Sequence, residues 1–243
     1  MLLAVDIGNT NINFAIFKGD KITRRFFIPV SAYNRTALKR KLGAVVFDAA
    51  IVSSVVPAVT AALEKGLAAL AVKKVYVLGK NAAVPIKNRY RYPRQVGTDR
   101  LVNAYSAINF FGAPAIVIDF GTAITFDVVS KGRQYCGGMI LPGLKISAAA
   151  LAERTALLPK VALKRPKEFI GRDTESSILN GLIYGFASLS DELARRLKKK
   201  IGKNAKVIGT GGDIGLVARY CRELDAVDRD LPLKGLNLIY KTL

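Results

Sequence analysis

Two short segments of the chain carry a carboxylate, a glycine and polar side chains in the same order, a combination suited to phosphate chemistry. They are Asp6-Ile7-Gly8-Asn9-Thr10 and Asp119-Phe120-Gly121-Thr122-Ala123. A glycine in a tight turn lets backbone N–H groups approach an anion closely, because no Cβ atom blocks the way. The polar residues after each glycine would add side-chain donors to phosphate oxygens. The carboxylates of Asp6 and Asp119, at strand ends, can hold the cations that neutralise phosphates.

These segments belong to an internal repeat. Each lies between two apolar runs, the second run ends in Lys-Gly, and the copies align without a gap at a spacing of 113 residues. The pattern predicts a strand, a tight Asp-x-Gly turn and a returning strand. One such turn is most simply an ordinary hairpin, whereas its duplication favours two turns that together hold a polyphosphate. The repeat predicts duplicated halves, residues 1–112 and 113–243.

Strand and helix patterns alternate between and after these turns. We expect further strands at 50–54, 75–78 and 206–208, and helices at about 58–71, 99–111 and 174–199. Thr98 is the expected N-cap of the second helix and Gly112 its stop. The alternation predicts an α/β fold, and the antiparallel hairpins make its sheets mixed.

Three further positions could take part in chemistry, and each also has a simple structural interpretation. Asp99 opens a helix, where the helix dipole and Arg100 favour its anion, so it could accept a proton from a substrate hydroxyl or merely stabilise the helix start. Thr174 stands among acidic residues, as at an ordinary helix N-terminus. Tyr90 alone would be interpreted as a surface or interface aromatic.

A glycine-rich loop at 209–212 follows the strand predicted at 206–208. Its backbone could lie against a nucleotide base or sugar, but the same pattern also connects strands to helices. Neither a Walker sequence nor a kinase His-Arg-Asp loop is present.

The composition limits the classes of function. The 38 Lys+Arg and 18 Asp+Glu residues give a net charge of +20, which favours anionic partners, although a solvated basic surface is the simpler interpretation of the separated basic clusters. The lack of histidine excludes His-based metal, triad and pH-switch chemistry. Cys136 and Cys221 form no Cys-x-x-Cys pair, so we expect neither a zinc site nor a disulfide framework. Without a signal peptide or a run of about 20 apolar residues, a cytoplasmic protein with no membrane partner is expected.

Taken together, the motifs resemble those of the type III pantothenate kinases, in the superfamily of actin, sugar kinases and acetate kinase. Seven elements in the same order over nearly the whole chain carry the resemblance. They are Asp6-Ile7-Gly8-Asn9-Thr10, Ser53-Ser54-Val55-Val56-Pro57, Gly97-Thr98-Asp99-Arg100, the segment from Asp119 to Asp127, Gly137-Gly138-Met139-Ile140-Leu141-Pro142-Gly143, Thr155-Ala156-Leu157-Leu158-Pro159 and Ile170-Gly171-Arg172-Asp173-Thr174.

The resemblance implies two duplicated ribonuclease-H-like (actin-like ATPase) halves, each a mixed sheet flanked by helices. It implies ATP-dependent phosphorylation of pantothenate to 4′-phosphopantothenate, the first step of coenzyme A biosynthesis. It also implies a homodimer with the substrate pocket at the subunit interface.

The resemblance further assigns roles by position. Asp99 would be the catalytic proton acceptor, Asp119 would bind the monovalent cation (K⁺ or NH₄⁺), and Mg²⁺ would accompany ATP near Asp6 without direct ligation. The implied ATP-binding residues are Asp6, Ile7, Gly8, Asn9, Thr10, Asn11, Ile12, Asn13 and Thr122. The implied pantothenate-binding residues are Tyr90, Gly97, Thr98, Asp99, Arg100 and Thr174.

Two alternatives stay open from the sequence. A basic nucleic-acid-binding or regulatory protein could keep this fold, but such a scaffold would not need Asp6, Asp99, Asp119 and Thr122 together, so nucleic acid is not the expected partner. A kinase of the same class could instead phosphorylate another hydroxylated small acid.

Overall fold

The computed structural model describes all 243 residues and divides them into two units. Unit 1 contains Met1–Ile86, Arg91–Ser106 and Asp230–Leu243, and unit 2 contains Lys87–Tyr90 and Ala107–Arg229. The halves predicted at residues 1–112 and 113–243 describe a duplication of sequence and stay a prediction. The units are defined by packing, which assigns the C-terminal residues to unit 1.

Unit 1 is built on a five-stranded sheet in the order β3-β2-β1-β4-β5. Its strand β1 is antiparallel to β2 and parallel to β4, and β4 is parallel to β5. The strands are β1 (Leu2–Ile7), β2 (Asn11–Lys18), β3 (Lys21–Pro29), β4 (Ala49–Ser54) and β5 (Lys74–Val77). The helices are α1 (Arg35–Leu42), α2 (Pro57–Ala69), the first part of α3 (Thr98–Phe110) and α7 (Leu231–Tyr240).

Strand β1 is buried on both faces of this sheet, and its alternate residues point to opposite sides. Leu3 and Val5 belong to a core that α1 and α2 cover, and Leu2 and Ala4 belong to a second core with α3 and α7. A strand that is buried on both faces has a continuous apolar sequence, which explains the apolar run that precedes Asp6.

Unit 2 is built on a six-stranded sheet in the order β11-β10-β7-β8-β9-β6. Helix α5 packs Leu179 and Ile183 against Ile116 and Ile118 of β7. The strands are β6 (Lys87–Asn88), β7 (Ala115–Phe120), β8 (Ala123–Val129), β9 (Gln134–Pro142), β10 (Lys206–Thr210) and β11 (Ala226–Val227). Besides the end of α3, the helices are α4 (Leu144–Arg154), α5 (Thr174–Ile201) and α6 (Ile214–Val217). None of the helices in the chain combines the length and the apolar character of a membrane span.

The predicted mixed α/β fold is confirmed, as are the predicted strands and helices, with ends that differ by up to two residues. The expected N-cap Thr98 is instead the first residue of α3, and its hydroxyl contacts the end of β4. At the other end, Gly112 has a φ of +91°, in keeping with its expected role as the stop.

The two hairpins of the repeat differ in register, although their sequences align without a gap. Ile7 pairs with Ile12 across the first turn, whereas Phe120 pairs with Ile124 across the second, which is one residue shorter. A one-residue change of register exchanges the faces of a strand. Alignment of the two copies therefore does not predict which residue lies opposite the aspartate of each turn.

Candidate active site

The first Asp-x-Gly turn joins β1 to β2 in unit 1. Asp6 lies opposite Asn13 of β2 and beside Ser53 of β4, so the three side chains share one face of the sheet. The backbone N–H of Gly8 donates to the carbonyl of Asn11 at 3.0 Å and closes the turn. The turn therefore displays a carboxylate between two neutral polar side chains.

The implied ATP-binding residues of this turn differ in what they can offer a ligand. Asn9 and Thr10 are exposed at the tip. Ile7 and Ile12 are fully buried in the apolar core, so their side chains hold the turn in place and only their backbone could bind. The partly exposed members are Asp6, Gly8, Asn11 and Asn13.

The start of α3 is fastened to the end of β4 within unit 1. The hydroxyl of Thr98 lies 3.2 Å from that of Ser53 and accepts a hydrogen bond from the backbone N–H of Ser54 at 3.3 Å. Since Ser53 also lies beside Asp6 in the sheet, these contacts link the first turn to the segment that contains Asp99.

The side chain of Asp99 is half-buried, and burial raises its pKa above the ordinary range. The backbone N–H of Arg100 donates to Asp99 Oδ1 at 2.9 Å and, with the Arg100 charge, opposes this rise in pKa without cancelling it. The expectation that the helix start and Arg100 would favour the anion therefore describes the weaker effect. A raised pKa makes the carboxylate a stronger base.

The second Asp-x-Gly turn joins β7 to β8 in unit 2. Asp119 lies opposite Thr125 of β8 and beside Thr210 of β10. The backbone N–H of Gly121 donates to the carbonyl of Ala123 at 3.1 Å, and the Thr122 side chain at the tip is exposed. The arrangement repeats that of unit 1, with a carboxylate between two neutral polar residues.

Two glycines let other segments approach this second turn closely. A Cβ atom at Gly143, just before α4, would lie 2.3 Å from the carbonyl oxygen of Thr122 and 2.5 Å from that of Gly121. One at Gly211, after β10, would lie 2.4 Å from Asp119 Oδ1. The second turn thus carries the Asp119 carboxylate and the backbone carbonyls of Gly121 and Thr122, and the Thr122 carbonyl accepts a hydrogen bond from the backbone N–H of Gly143 at 3.1 Å.

An ion pair next to this turn was not singled out from the sequence. Lys145 Nζ lies 2.7 Å from Asp213 Oδ1, and the backbone N–H of the buried Asp213 donates to the carbonyl of Phe120 at 2.9 Å. Lys145 follows Gly143 and Asp213 follows the glycine-rich loop, but only the fold brings these segments together. The pair places the exposed Lys145 ammonium group, with Asp213 as its counter-ion, beside a turn predicted to bind phosphate.

Tyr90 packs on the sheet of unit 2. Its ring lies over Gly137, whose φ is +115° and where a Cβ atom would come within 3.2 Å of the ring. The neighbouring Tyr135 is fully buried and donates to Asp127 Oδ1 at 2.9 Å. Asp127, also fully buried, accepts a second hydrogen bond from Thr125 at 3.1 Å. This network fixes the surface on which Tyr90 rests.

Thr174 is the exposed first residue of α5. The preceding Asp173 is the N-cap, and its carboxylate accepts a hydrogen bond from the backbone N–H of Ser176 at 2.7 Å. That bond lowers the pKa of Asp173. The helix start is therefore set by Asp173 and Ser176, which leaves the Thr174 side chain available to a ligand.

Solved structures with the same architecture cover nearly all of the chain. A Campylobacter jejuni protein described as a Baf family transcriptional activator is 22% identical, with a TM-score of 0.61 over 99% of this chain and 98% of that one. A Porphyromonas gingivalis protein described as an N-acetylglucosamine kinase is 14% identical, with a TM-score of 0.50 over 100% and 99%. These likenesses show the fold, which is that of the actin-like ATPases and sugar kinases.

Sequence comparison narrows this class to one family. The family model for type III pantothenate kinase matches residues 2–196. A type III pantothenate kinase from Rubrobacter xylanophilus is 40% identical over 99% of this chain and 97% of its own length, and one from Brevibacillus brevis is 37% identical over 99% and 98%. The chain belongs to the type III pantothenate kinase family, whose members phosphorylate pantothenate in coenzyme A biosynthesis.

Proposed function

We propose that this chain transfers the γ-phosphoryl group of ATP, bound as its Mg²⁺ complex, to the terminal hydroxyl of pantothenate. The products are ADP and 4′-phosphopantothenate. The observation that carries the proposal is Asp99: a half-buried carboxylate of raised pKa, at a helix start linked through Thr98 and Ser53 to the strand beside Asp6. That is the arrangement a general base near a phosphate-binding turn requires.

The proposed roles divide between the two turns and α3. In unit 1, the segment from Asp6 to Asn13 binds the phosphates of ATP, with Mg²⁺ near Asp6, and Asp99 accepts the proton of the attacking hydroxyl. In unit 2, Thr122 adds a phosphate contact. Phosphoryl transfer depends chiefly on positioning and charge neutralisation, so the base assists a reaction that the bound cations and amides make possible.

A monovalent cation, K⁺ or NH₄⁺, belongs to the second turn in this proposal. The donors that fit it are the Asp119 carboxylate and the carbonyl oxygens of Gly121 and Thr122. When bound, such a cation supplies positive charge that lets an anionic phosphate approach Asp119. Gly143 lets the start of α4 lie close to the two carbonyl oxygens, and Gly211 lets the end of β10 lie close to the carboxylate.

Pantothenate is held by Tyr90, the 97–100 segment and Thr174. Tyr90 offers a ring supported by Gly137. Thr98 and Asp99 offer oxygen atoms, and Arg100 offers a positive charge for an acidic substrate. Thr174 adds a hydroxyl at the start of α5.

A homodimer is part of the proposal, as is the cytoplasmic location predicted from the sequence. Three large apolar side chains in the segment between α4 and α5 are strongly exposed: Leu157 at 91%, Phe169 at 73% and Ile170 at 73%. Exposed apolar groups of this kind favour burial against a partner. The apolar face of α5 serves mainly the core of unit 2, since Leu179 and Ile183 are buried there.

A coupled ADP-release assay tests the function. Purified protein with Mg-ATP and K⁺ is expected to release ADP when pantothenate is added, and much less with other hydroxylated acids. ADP release with another acid but none with pantothenate would refute the substrate assignment. Tight nucleic-acid binding at physiological salt, without turnover, would support the alternative of a basic binding protein.

A further inference from the structure

Thr210, the last residue of β10, has a hydroxyl that the fold leaves without a hydrogen-bond partner. Its side chain is 0% exposed, and Oγ1 has no donor or acceptor within reach. An unsatisfied buried hydroxyl costs free energy, and most buried polar atoms in proteins have a partner. The position of Thr210 therefore calls for a partner from outside the chain.

The register of the sheet shows what this hydroxyl lies beside. Val207 pairs with Ile116, and both belong to the core under α5. Because side chains alternate along a strand, Thr210 and its register partner Asp119 share the opposite face. The next residue, Gly211, lies against the Asp119 carboxylate, where a Cβ atom would be 2.4 Å from Oδ1.

The corresponding position in unit 1 is satisfied by the chain itself. Ser53 lies beside Asp6 as Thr210 lies beside Asp119. Ser53 is also fully buried, but its hydroxyl is 3.2 Å from that of Thr98. The two units thus share a carboxylate and a hydroxyl on adjacent strands, and only in unit 1 does the hydroxyl have a side-chain partner.

We propose that the Thr210 hydroxyl is a ligand for the monovalent cation at Asp119 and helps to determine which cation binds. This inference rests on the cation site of the proposed function. A carboxylate on the adjacent strand favours a cation over an anion as the missing partner. The chain has no group of three or more His, Cys, Asp or Glu side chains that could hold a metal ion. The donors at this turn are one carboxylate and neutral oxygens, and a single negative charge matches a cation with a single positive charge.

Thermal unfolding of the ligand-free protein tests the proposal without measuring activity. The unfolding midpoint is compared in KCl, NH₄Cl and tetramethylammonium chloride at one ionic strength, without ATP or pantothenate. The wild type should be stabilised by K⁺ or NH₄⁺, because a ligand that binds only the folded state raises the midpoint. Titrating KCl into tetramethylammonium chloride then gives an apparent dissociation constant.

Two variants make the test specific. Thr210→Val keeps the shape and removes the hydroxyl, so K⁺ should bind about tenfold more weakly, the order expected for one contact to a charged group. Without K⁺, this variant should unfold at or above the wild-type temperature, because the unsatisfied hydroxyl is gone. Ser190→Ala is the matched control. It removes a hydroxyl on α5 that is 1% exposed and also without a partner, and its K⁺ response should match the wild type.

Three outcomes would overturn the proposal. They are an unchanged K⁺ response in Thr210→Val, an equal loss in Ser190→Ala, and a wild type that K⁺ does not stabilise. Loss of ATP-induced stabilisation in Thr210→Val with K⁺ binding intact would show a nucleotide contact instead. Each outcome is independent of the assay with pantothenate, so failure here leaves the proposed reaction standing.

Discussion

The carboxylate of Asp99 lies against the backbone of Gly97, so closely that a Cβ atom at residue 97 would be 2.4 Å from Asp99 Oδ1. Real Cβ atoms do not come this close to an oxygen, so any side chain at residue 97 must displace the carboxylate. Gly97 therefore sets the orientation of the proposed base.

Gly97→Ala should lower kcat about 10- to 100-fold, because a catalytic group displaced by about 1 Å loses that much rate. Steady-state kinetics with Mg-ATP and pantothenate measure the effect. Gly132→Ala is the control, since a Cβ there meets nothing nearer than 3.8 Å. Equal kcat values in the two variants would mean that the position of Asp99 does not matter to the reaction.

Asp99→Asn should reduce kcat by about 10²- to 10⁴-fold while ATP binding is retained, because the amide keeps the shape and cannot accept the proton. The same variant should be more stable than the wild type at neutral pH. The folded-state pKa of Asp99 is raised by burial. Above that pKa the wild type carries a buried charge that the unfolded chain accommodates more easily.

The pH dependence of this stability difference has a definite sign. At a pH below the unfolded-state pKa, about 3.9, Asp99 is protonated in both states and contributes nothing. As pH rises through the window up to the raised folded-state pKa, the wild type loses stability relative to Asp99→Asn. Denaturant unfolding at several pH values measures this, and a difference that shrinks as pH rises would contradict it.

Asp48→Asn is an informative control for that experiment. Asp48 is exposed and pairs with the N-terminal amino group, which lowers its pKa. Its contribution to stability is present above the unfolded-state pKa and is lost as pH falls. As pH rises, the wild type should therefore gain stability relative to Asp48→Asn, the opposite of its change relative to Asp99→Asn.

Gly137→Ala should raise KM for pantothenate more than it changes KM for ATP, because the new Cβ would press on the Tyr90 ring at 3.2 Å. It should also cost about 1 kcal/mol of stability, since φ at this residue is positive. Gly43→Ala has a positive φ without a neighbour within 4 Å. That control should lose stability and keep its KM values.

Replacing K⁺ and NH₄⁺ by Na⁺ or a bulky organic cation should collapse activity, because the Asp119 carboxylate would then repel the phosphates of ATP. Asp119→Ala should abolish both the cation dependence and most of the activity. Initial rates in matched chloride salts are the measurement. Equal rates of the wild type in all salts would rule out a cation at this turn.

Mixing two inactive variants tests the shared pocket of the proposed homodimer. Asp99 and Thr174 of one pocket would come from different subunits in this proposal. A mixed dimer of Asp99→Asn and Thr174→Ala would then contain one pocket with both residues intact, because a twofold interface repeats each contact. Part of the mixed dimers should therefore regain activity. Light scattering at assay concentration gives the mass. A monomer with full turnover would contradict the proposal.

The sequence by itself determined the elements that depend on local pattern. Apolar runs ending in Asp-x-Gly predicted both hairpins, and the helical pattern of the sequence predicted a helix at 174–199 where the structure has Thr174–Ile201. The fold class follows from this alternation, because strands and helices of this kind can bury their apolar faces in few ways.

Only the tertiary structure decided which residues from distant segments meet. The second hairpin is one residue shorter in its pairing, so Thr125, and not the residue aligned with Asn13, stands opposite Asp119. The pKa of Asp99 rises because of burial, a property of the surroundings that local sequence does not specify. Likewise, Ser53 meets Thr98 while Thr210 meets no partner, because hydrogen bonds between segments distant in sequence depend on how the chain packs.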